Sequence, residues 1–496
     1  MPSRKLFLYS LVALSPLAHA AAPSKISSTQ LEKIQNVVII YGENRSFNNL
    51  YGMFPGANGV AQAIASGKYK QTEMDGKEMR NLPPVWLEGS KPLQADPLFP
   101  APLANMPFRI DAAPIQQGLE VPTRDLVHRF YQNQLQINGG KNDRFAAISD
   151  AGGFAMGYYD GSSLPLWKLA RQYTLADNFF MAAFGGSFLN HMWLACACTP
   201  TYPEAPEKFR LQLNADGSLK RKENSPTNAQ DGPPQFYDGS ITPDHYAVNT
   251  MQAPYQPSAA LPPVGAGSDG RLADPKEFPL PPQTQATIGD MLSKRHISWK
   301  WYAGGWNRAL QDRKQIYEGE VMFQAHHQPF NYFKNFQPGS AERALHLKDF
   351  EDMQADIEKG DLPQVAFYKP QGNLNQHPGY ANVMTGDQHL ADLVGKLQAS
   401  PQWKNMAIII TYDENGGFWD HVAPPKGDRW GPGSRIPAII ISPYAKKGFV
   451  DHTAYDTTSI LQFLSRRFKL EMLPGIRQHL GDMTNAFDFR PAKPGK

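Results

Sequence analysis

The sequence predicts an α/β protein, a three-layer α/β/α sandwich on a mainly parallel central sheet with long Pro/Gly-rich loop excursions. Three observations carry this. Four short runs are almost purely apolar, as strands buried on both faces must be. Amphipathic or capped stretches of helical character lie between several of them. Such strand and helix alternation packs best as a parallel sheet covered by helices. With 496 residues, 41% of them hydrophobic, the chain has ample material for a large core.

Taken in order, strands are expected at residues 37–41, 365–368, 406–412 and 436–442. Helices are expected at 123–137, 164–173, 284–295, 387–399 and 457–468, the last opening behind Asp456 as an N-cap. Two segments interrupt the alternation. Residues 56–122 are loop-like, and residues 200–282 hold 15 of the 43 prolines, too many for a continuous helix or a central strand. Both read as loop or cap insertions within a single domain spanning 21–496. No internal repeat is evident.

Residues 1–20 read as a secretory signal peptide. Arg4 and Lys5 precede an apolar stretch from Leu6 to Leu14, and Ala18-His19-Ala20 forms a small-x-small cleavage site. That stretch is too short to span a bilayer, and no later segment reaches about 18 uninterrupted apolar residues. The expectation is a soluble product without a transmembrane segment, periplasmic or secreted. Cys196 and Cys198 are the only cysteines, so no disulfide framework holds the fold; local pairing and two buried thiols both fit. The chain has 49 basic and 46 acidic residues and no Lys/Arg block, which excludes a nucleic-acid scaffold as partner.

Two strand tips carry matching chemistry. The first run ends in Gly42-Glu43-Asn44-Arg45-Ser46-Phe47 and the third in Tyr412-Asp413-Glu414-Asn415-Gly416-Gly417. Ligands of open parallel sheets bind beyond the carboxyl ends of the strands. If the two strands are close neighbours, Glu43, Asn44, Asp413 and Glu414 meet at one crevice, where three carboxylates repel unless a cation sits among them. An all-oxygen donor set suits a hard divalent metal ion. Either tip alone reads first as turn or capping residues; the matched pair reads as a site.

In Gly185-Gly186-Ser187-Phe188-Leu189-Asn190-His191, Ser187 opens an apolar helix-like run. The free amides of a helix N-terminus favour an anion or an alkoxide; beside a metal such a hydroxyl becomes a nucleophile toward phosphorus. A plain N-cap serine is the competing reading. Histidines are the third element: His128 in a helical stretch, the adjacent His326 and His327, His377 after the second strand, and His421 in Trp419-Asp420-His421-Val422. They offer donors for phosphate oxygens and protons for a leaving alcohol. His245, His296, His346, His389, His452 and His479 are read as structural.

Together, Glu43-Asn44-Arg45-Ser46-Phe47 with Tyr51-Gly52, the Gly186-Ser187 segment, and Tyr412-Asp413-Glu414-Asn415-Gly416-Gly417 through Asp420-His421-Val422 resemble the phosphoesterase family that unites bacterial phospholipases C with AcpA-type acid phosphatases. The resemblance implies an alkaline-phosphatase-like fold. It implies a metal held by Glu43, Asn44, Asp413 and Glu414, with Ser187 as metal-bound nucleophile and a phosphoserine intermediate. It also implies that His377, His128 and the His326-His327 pair line the phosphate pocket and protonate the leaving group. Members of the phospholipase branch typically carry threonine at the nucleophile position, and its larger members carry extra C-terminal domains. With serine there, the chain more closely resembles the acid phosphatase branch.

The expectation is thus an extracytoplasmic metal-dependent acid phosphatase acting on phosphomonoesters; the alternative is a phospholipase C-type diesterase, for which the 9 Trp and 27 Phe offer contact with lipid. A sulfatase is disfavoured because Cys198-Thr199-Pro200-Thr201-Tyr202 lacks the arginine of that family's Cys-x-Pro-x-Arg motif. A two-lobed periplasmic binding protein is disfavoured by the lack of a duplicated half.

Overall fold

The computed structural model describes residues 26–490; the proposed leader, residues 1–20, lies outside the described residues. One nine-stranded sheet organises the chain. Its strands are β1 (Asn36–Gly42), β2 (Thr174–Phe180), β3 (Trp299–Ala303), β4 (Leu347–Lys348), β5 (Val365–Lys369), β6 (Met406–Tyr412), β7 (Arg435–Ile441), β8 (Phe449–Asp451) and β9 (Tyr455–Asp456). They run in the order β8-β2-β7-β6-β1-β5-β3-β4, with β9 also paired to β2. The central strands β1, β5 and β6 are buried along their whole length, which explains their near-continuous apolar sequence.

β1 pairs in parallel with β6 on one side and β5 on the other, with Gly42 opposite Tyr412 and Ile40 opposite Tyr368. The two tips noted in the sequence are therefore adjacent. The expected strand at 436–442 exists, but it runs antiparallel to β6. The chain between β6 and β7 stays at the carboxyl edge of the sheet and makes no crossover, so β7 must return in the opposite direction. β2 is antiparallel to β7 and so aligned with β6, which delivers the segment after Phe180 to the same edge.

Helices α1 (Phe130–Ile137), α2 (Pro165–Gln172), α3 (Ser187–Cys196), α4 (Ile288–Lys294), α5 (Val383–Ala399) and α6 (Thr457–Phe468) cover the sheet. Tyr41 of β1 meets α3, its ring 5.0 Å from that of His191 and its hydroxyl donating to the Asn190 carbonyl at 3.3 Å. On the opposite face Tyr412 donates to Gln376 Oε1 at 2.7 Å, and α2 docks on α5, with Leu166 N–H donating to Asp387 Oδ1 at 2.8 Å. Asp456 caps α6 as expected, accepting from Thr458 and Ser459 N–H. Asn382 caps α5 and moves its start to Val383.

The expected helix at 123–137 begins only at Phe130, and His128 lies on extended chain. There Val127 N–H donates to Asp150 Oδ1 at 2.7 Å and Arg129 adopts an extended backbone at the helix N-cap position. Side-chain and tertiary partners outweigh helical propensity over these residues. Segment 56–122 holds one short helix (Val60–Ser66) and three two-residue strands, Asn81–Leu82 paired with Leu103–Ala104 and Phe108–Arg109 paired with Gly157–Tyr158, and 200–282 holds only two 3₁₀ turns and isolated bridges. Cys196 and Cys198 are joined as a disulfide. No helix of the described residues is long and apolar enough to cross a membrane.

Candidate active site

At the carboxyl edge, β1, β5 and β6 end side by side, and the segments leaving their tips build the site. Asp413 N–H donates to the Gly42 carbonyl at 3.1 Å, extending the β1/β6 ladder by one residue. Asn44 turns into the left-handed region, φ 60°, a conformation asparagine tolerates. Its N–H donates to Asp413 Oδ1 at 3.2 Å, and that oxygen also accepts the Glu414 N–H at 2.9 Å. Gly416 closes against this turn with φ +61°; a Cβ there would fall 2.4 Å from the Asn44 carbonyl oxygen, so only glycine fits.

Ser187 is the first residue of α3, with Gly186 at the N-cap. Its hydroxyl donates to Asn44 Oδ1 at 3.1 Å. Gly185 lets the segment entering α1 pass close behind, since a Cβ on it would lie 2.4 Å from the Phe130 nitrogen. Asn190 pins the loop by accepting Ala183 N–H at 2.9 Å and donating to the Ala183 carbonyl at 3.1 Å.

Glu43, Asp413 and Glu414 are fully buried. Asp413 Oδ2 and Glu414 Oε1 have no hydrogen-bond partner, although the other oxygen of each is satisfied, Glu414 Oε2 by Gly416 N–H at 2.6 Å. Burial and the neighbouring Glu43 push Asp413 up despite Lys369, and burial together with Asp413 pushes Glu414 well up. Two orphaned carboxylate oxygens beside Asn44 Oδ1 and the Ser187 hydroxyl form a donor set suited to a hard divalent cation. These four suit the expected metal; Glu43, the fifth expected ligand, also groups with His326 and His327, their ligand atoms within 4.8 Å of one another.

Glu43 faces a nitrogen-rich side. Its Oε1 lies 2.8 Å from His327 Nε2, 3.9 Å from His326 Nε2 and 3.5 Å from Lys369 Nζ. Asn375 Nδ2 and the Tyr380 hydroxyl donate to its Oε2. Burial opposes ionisation of Glu43, yet His327 and Lys369 hold it well below the usual carboxylate range. Burial, with Lys369 close by, keeps His327 down at about 3 and His326 below its ordinary value. His327 is fully buried behind Glu43 and does not line the cavity, whereas His326 does.

A cavity of about 370 Å³ opens above Ser187, with His128, His377, His326, Tyr317 and Asn249 in its walls. The rings of His128 and His377 meet edge to face at 5.6 Å. His128 Nε2 lies 3.7 Å from Glu414 Oε1, and its Nδ1 bonds the Leu126 carbonyl at 2.5 Å. Burial works against its cation, but Glu414 and Asp125 raise His128 to about 9. His421 is elsewhere. Asn48 and Asn58 bond its two nitrogens at 3.0 and 2.9 Å, and neighbouring Asp420 pairs with buried Arg435 at 2.9 Å. These residues tie the first motif to β7, so His421 is structural.

Three residues at the site are not among those the sequence singles out. Lys369 ends a strand of otherwise apolar residues, which in the sequence reads as an ordinary strand boundary. His191 sits one helical turn after Ser187, its Nδ1 bonded to the Ser187 carbonyl at 2.7 Å, and Tyr380 stacks on His377 with ring centroids 4.5 Å apart. Nothing local marks the latter two.

With this geometry in place, comparison with known proteins identifies the class. The Phosphoesterase family model matches residues 34–471, and the chain belongs to that family. It is 24% identical to a non-hemolytic phospholipase C of Burkholderia pseudomallei over 523 residues, covering 95% of this chain and 61% of that protein. It is 25% identical to phospholipase C B of Mycobacterium tuberculosis over 514 residues, covering 94% of this chain and 80% of that one. The chain thus spans under two thirds of the first relative's length. Among solved structures it is similar to an alkaline phosphatase superfamily protein of Vibrio parahaemolyticus at 12% identity and TM-score 0.33, covering 67% and 65% of the two chains.

Proposed function

We propose that Ser187 Oγ is the nucleophile of a metal-dependent phosphoesterase. The observation that carries this is the Ser187 hydroxyl at the floor of an open cavity, bonded to Asn44 and beside the unpartnered oxygens of Asp413 and Glu414. When bound by Glu43, Asn44, Asp413, Glu414 and Ser187, a divalent cation supplies positive charge against the substrate phosphate and lowers the proton affinity of the hydroxyl. Ser187, its hydroxyl proton given up to solvent through the cavity, forms the Oγ–P bond as the ester P–O bond breaks. His128 or His377 gives a proton to the departing alcohol. Water then releases the phosphoryl group from Ser187, and a histidine at the mouth takes up its proton. His326 donates to nonbridging oxygens, while His327 and Lys369 fix Glu43 from behind.

For the substrate we place a phosphodiester of the phospholipase C kind ahead of the phosphomonoester expected from sequence alone, because the named relatives matching over 90% of the chain are phospholipases C. The monoester reading is kept because Ser187 stands where the phospholipase branch typically carries threonine. We further propose one catalytic domain whose insertions at 56–122 and 200–282 frame the mouth; Glu88 and Val248 to Thr250 in the cavity wall support this. Export to the periplasm or medium rests on the leader-like residues 1–20.

The test is hydrolysis of p-nitrophenylphosphorylcholine and p-nitrophenyl phosphate by the purified protein, with and without chelator. Chelator-sensitive cleavage with the diester preferred at least tenfold supports the first reading. The opposite preference selects the monoesterase, and no cleavage of either refutes both.

A further inference from the structure

The cluster around Glu43 contains more cation-binding capacity than one metal uses. Glu43 stands in two sets: it is one of the five residues proposed above to hold the metal, and its ligand atoms and those of His326 and His327 lie within 4.8 Å of one another. Both ring nitrogens of His326 and Nδ1 of His327 are buried and without a partner. That is the donor set of a second, nitrogen-rich position, attractive to a borderline-soft ion such as zinc.

A fixed cation already stands at this place. Lys369, at the tip of β5, is fully buried, with Nζ 3.5 Å from Glu43 Oε1, 3.7 Å from Asp413 Oδ2 and 3.4 Å from the Gly42 carbonyl. Glu43 Oε1 is also the oxygen nearest His326 and His327. A second ion held by that oxygen with His326 and His327 would bring a third cationic centre against Glu43, beside Lys369 and the first ion, in a site without solvent where like charges repel strongly. The charge balance agrees: with the His128 cation offset by Asp125, 3.5 Å from its Nδ1, Glu43, Asp413 and Glu414 against Lys369 leave two negative charges, the complement of one divalent cation.

We propose that Lys369 is a built-in cation that takes the place of a second metal ion and limits the site to one. Lys369 is then a positioning residue. It sits between Glu43 and Asp413, joins the tips of β1, β5 and β6, and leaves His326 free of metal to meet the substrate. This rests on the cation site proposed above.

The test is equilibrium dialysis of the chelator-stripped full chain against Mn²⁺ and, separately, Zn²⁺, with metal content read by plasma mass spectrometry. Wild type binds one ion per chain with either metal. Lys369→Met gains a second Zn²⁺ and binds the first ion at least tenfold more tightly; Lys369→Arg, which keeps the charge, stays at one. His326→Ala in the Lys369→Met background returns the count to one. If Lys369→Met does not fold without metal, Lys369→Gln refolded in the presence of Zn²⁺ gives the same count. Two ions on wild type, or one ion at affinity within twofold on the Met and Gln variants, overturns the proposal. No ion on wild type instead overturns the metal-dependent reading of the site.

Discussion

Replacing Asp387 by asparagine should stabilise the protein in mild alkali and leave it nearly unchanged in acid. Asp387 is a fully buried residue of α5 whose Oδ1 accepts the Leu166 N–H at 2.8 Å, while Oδ2 has no partner. Burial pushes its carboxyl from an ordinary 3.8 up to about 7, against the Leu166 hydrogen bond and the weak pull of Lys168. The folded chain thus holds a proton that the unfolded chain releases near pH 4. Its stabilising effect is complete below about pH 4, declines as pH rises toward 7, and is gone above it. At about 1.4 kcal/mol per pH unit, the ionised form costs the fold up to about 4 kcal/mol at pH 8. Asparagine keeps the acceptor for Leu166 and carries no charge. Thermal unfolding at pH 5 and pH 8 is the assay. The variant should lie within about 1 kcal/mol of wild type at pH 5 and gain several degrees in Tm at pH 8. Equal or lower stability of the variant at pH 8 refutes the reasoning, because the carboxylate would then be tolerated.

Three more perturbations probe the site and its supports. Gly416→Ala, whose Cβ would fall 2.4 Å from the Asn44 carbonyl, should displace Asn44 and cost on the order of tenfold or more in kcat, measured on an aryl phosphate ester with folding monitored by circular dichroism. His128→Ala should slow an alkyl phosphate ester on the order of a hundredfold but a p-nitrophenyl ester only a few-fold, since the better leaving group needs no proton; equal losses on both would remove His128 from proton delivery. Arg435→Met strips the partner from buried Asp420 and should lower unfolding free energy by about 3–5 kcal/mol in urea.

The central strands are legible in the sequence because burial on both faces leaves an unbroken apolar signature, and their tips expose the carboxylates in plain order. The antiparallel course of 436–442 is not legible, since direction depends on which edge the preceding loop occupies, not on the composition of the strand. His128 lies off the expected helix because Val127 and Arg129 find tertiary partners that no local period announces. Lys369 hides for the opposite reason. A lysine closing an apolar strand looks like an ordinary boundary until Glu43 and Asp413 are seen on the adjoining strands. The histidines expected at the site gather around it except His421, whose motif tail serves to anchor β7 through Asp420 and Arg435.

The most direct test is rapid acid quench of the metal-loaded enzyme during turnover, followed by mass spectrometry of the peptide carrying Ser187, with Ser187→Ala as the companion. A phosphoryl adduct on Ser187 is expected with a monoester, and a phosphorylcholine adduct with the choline diester. Ser187→Ala should form neither and should lose on the order of a thousandfold or more in kcat. An adduct on another residue, or a Ser187→Ala enzyme of near-normal activity, would contradict the account.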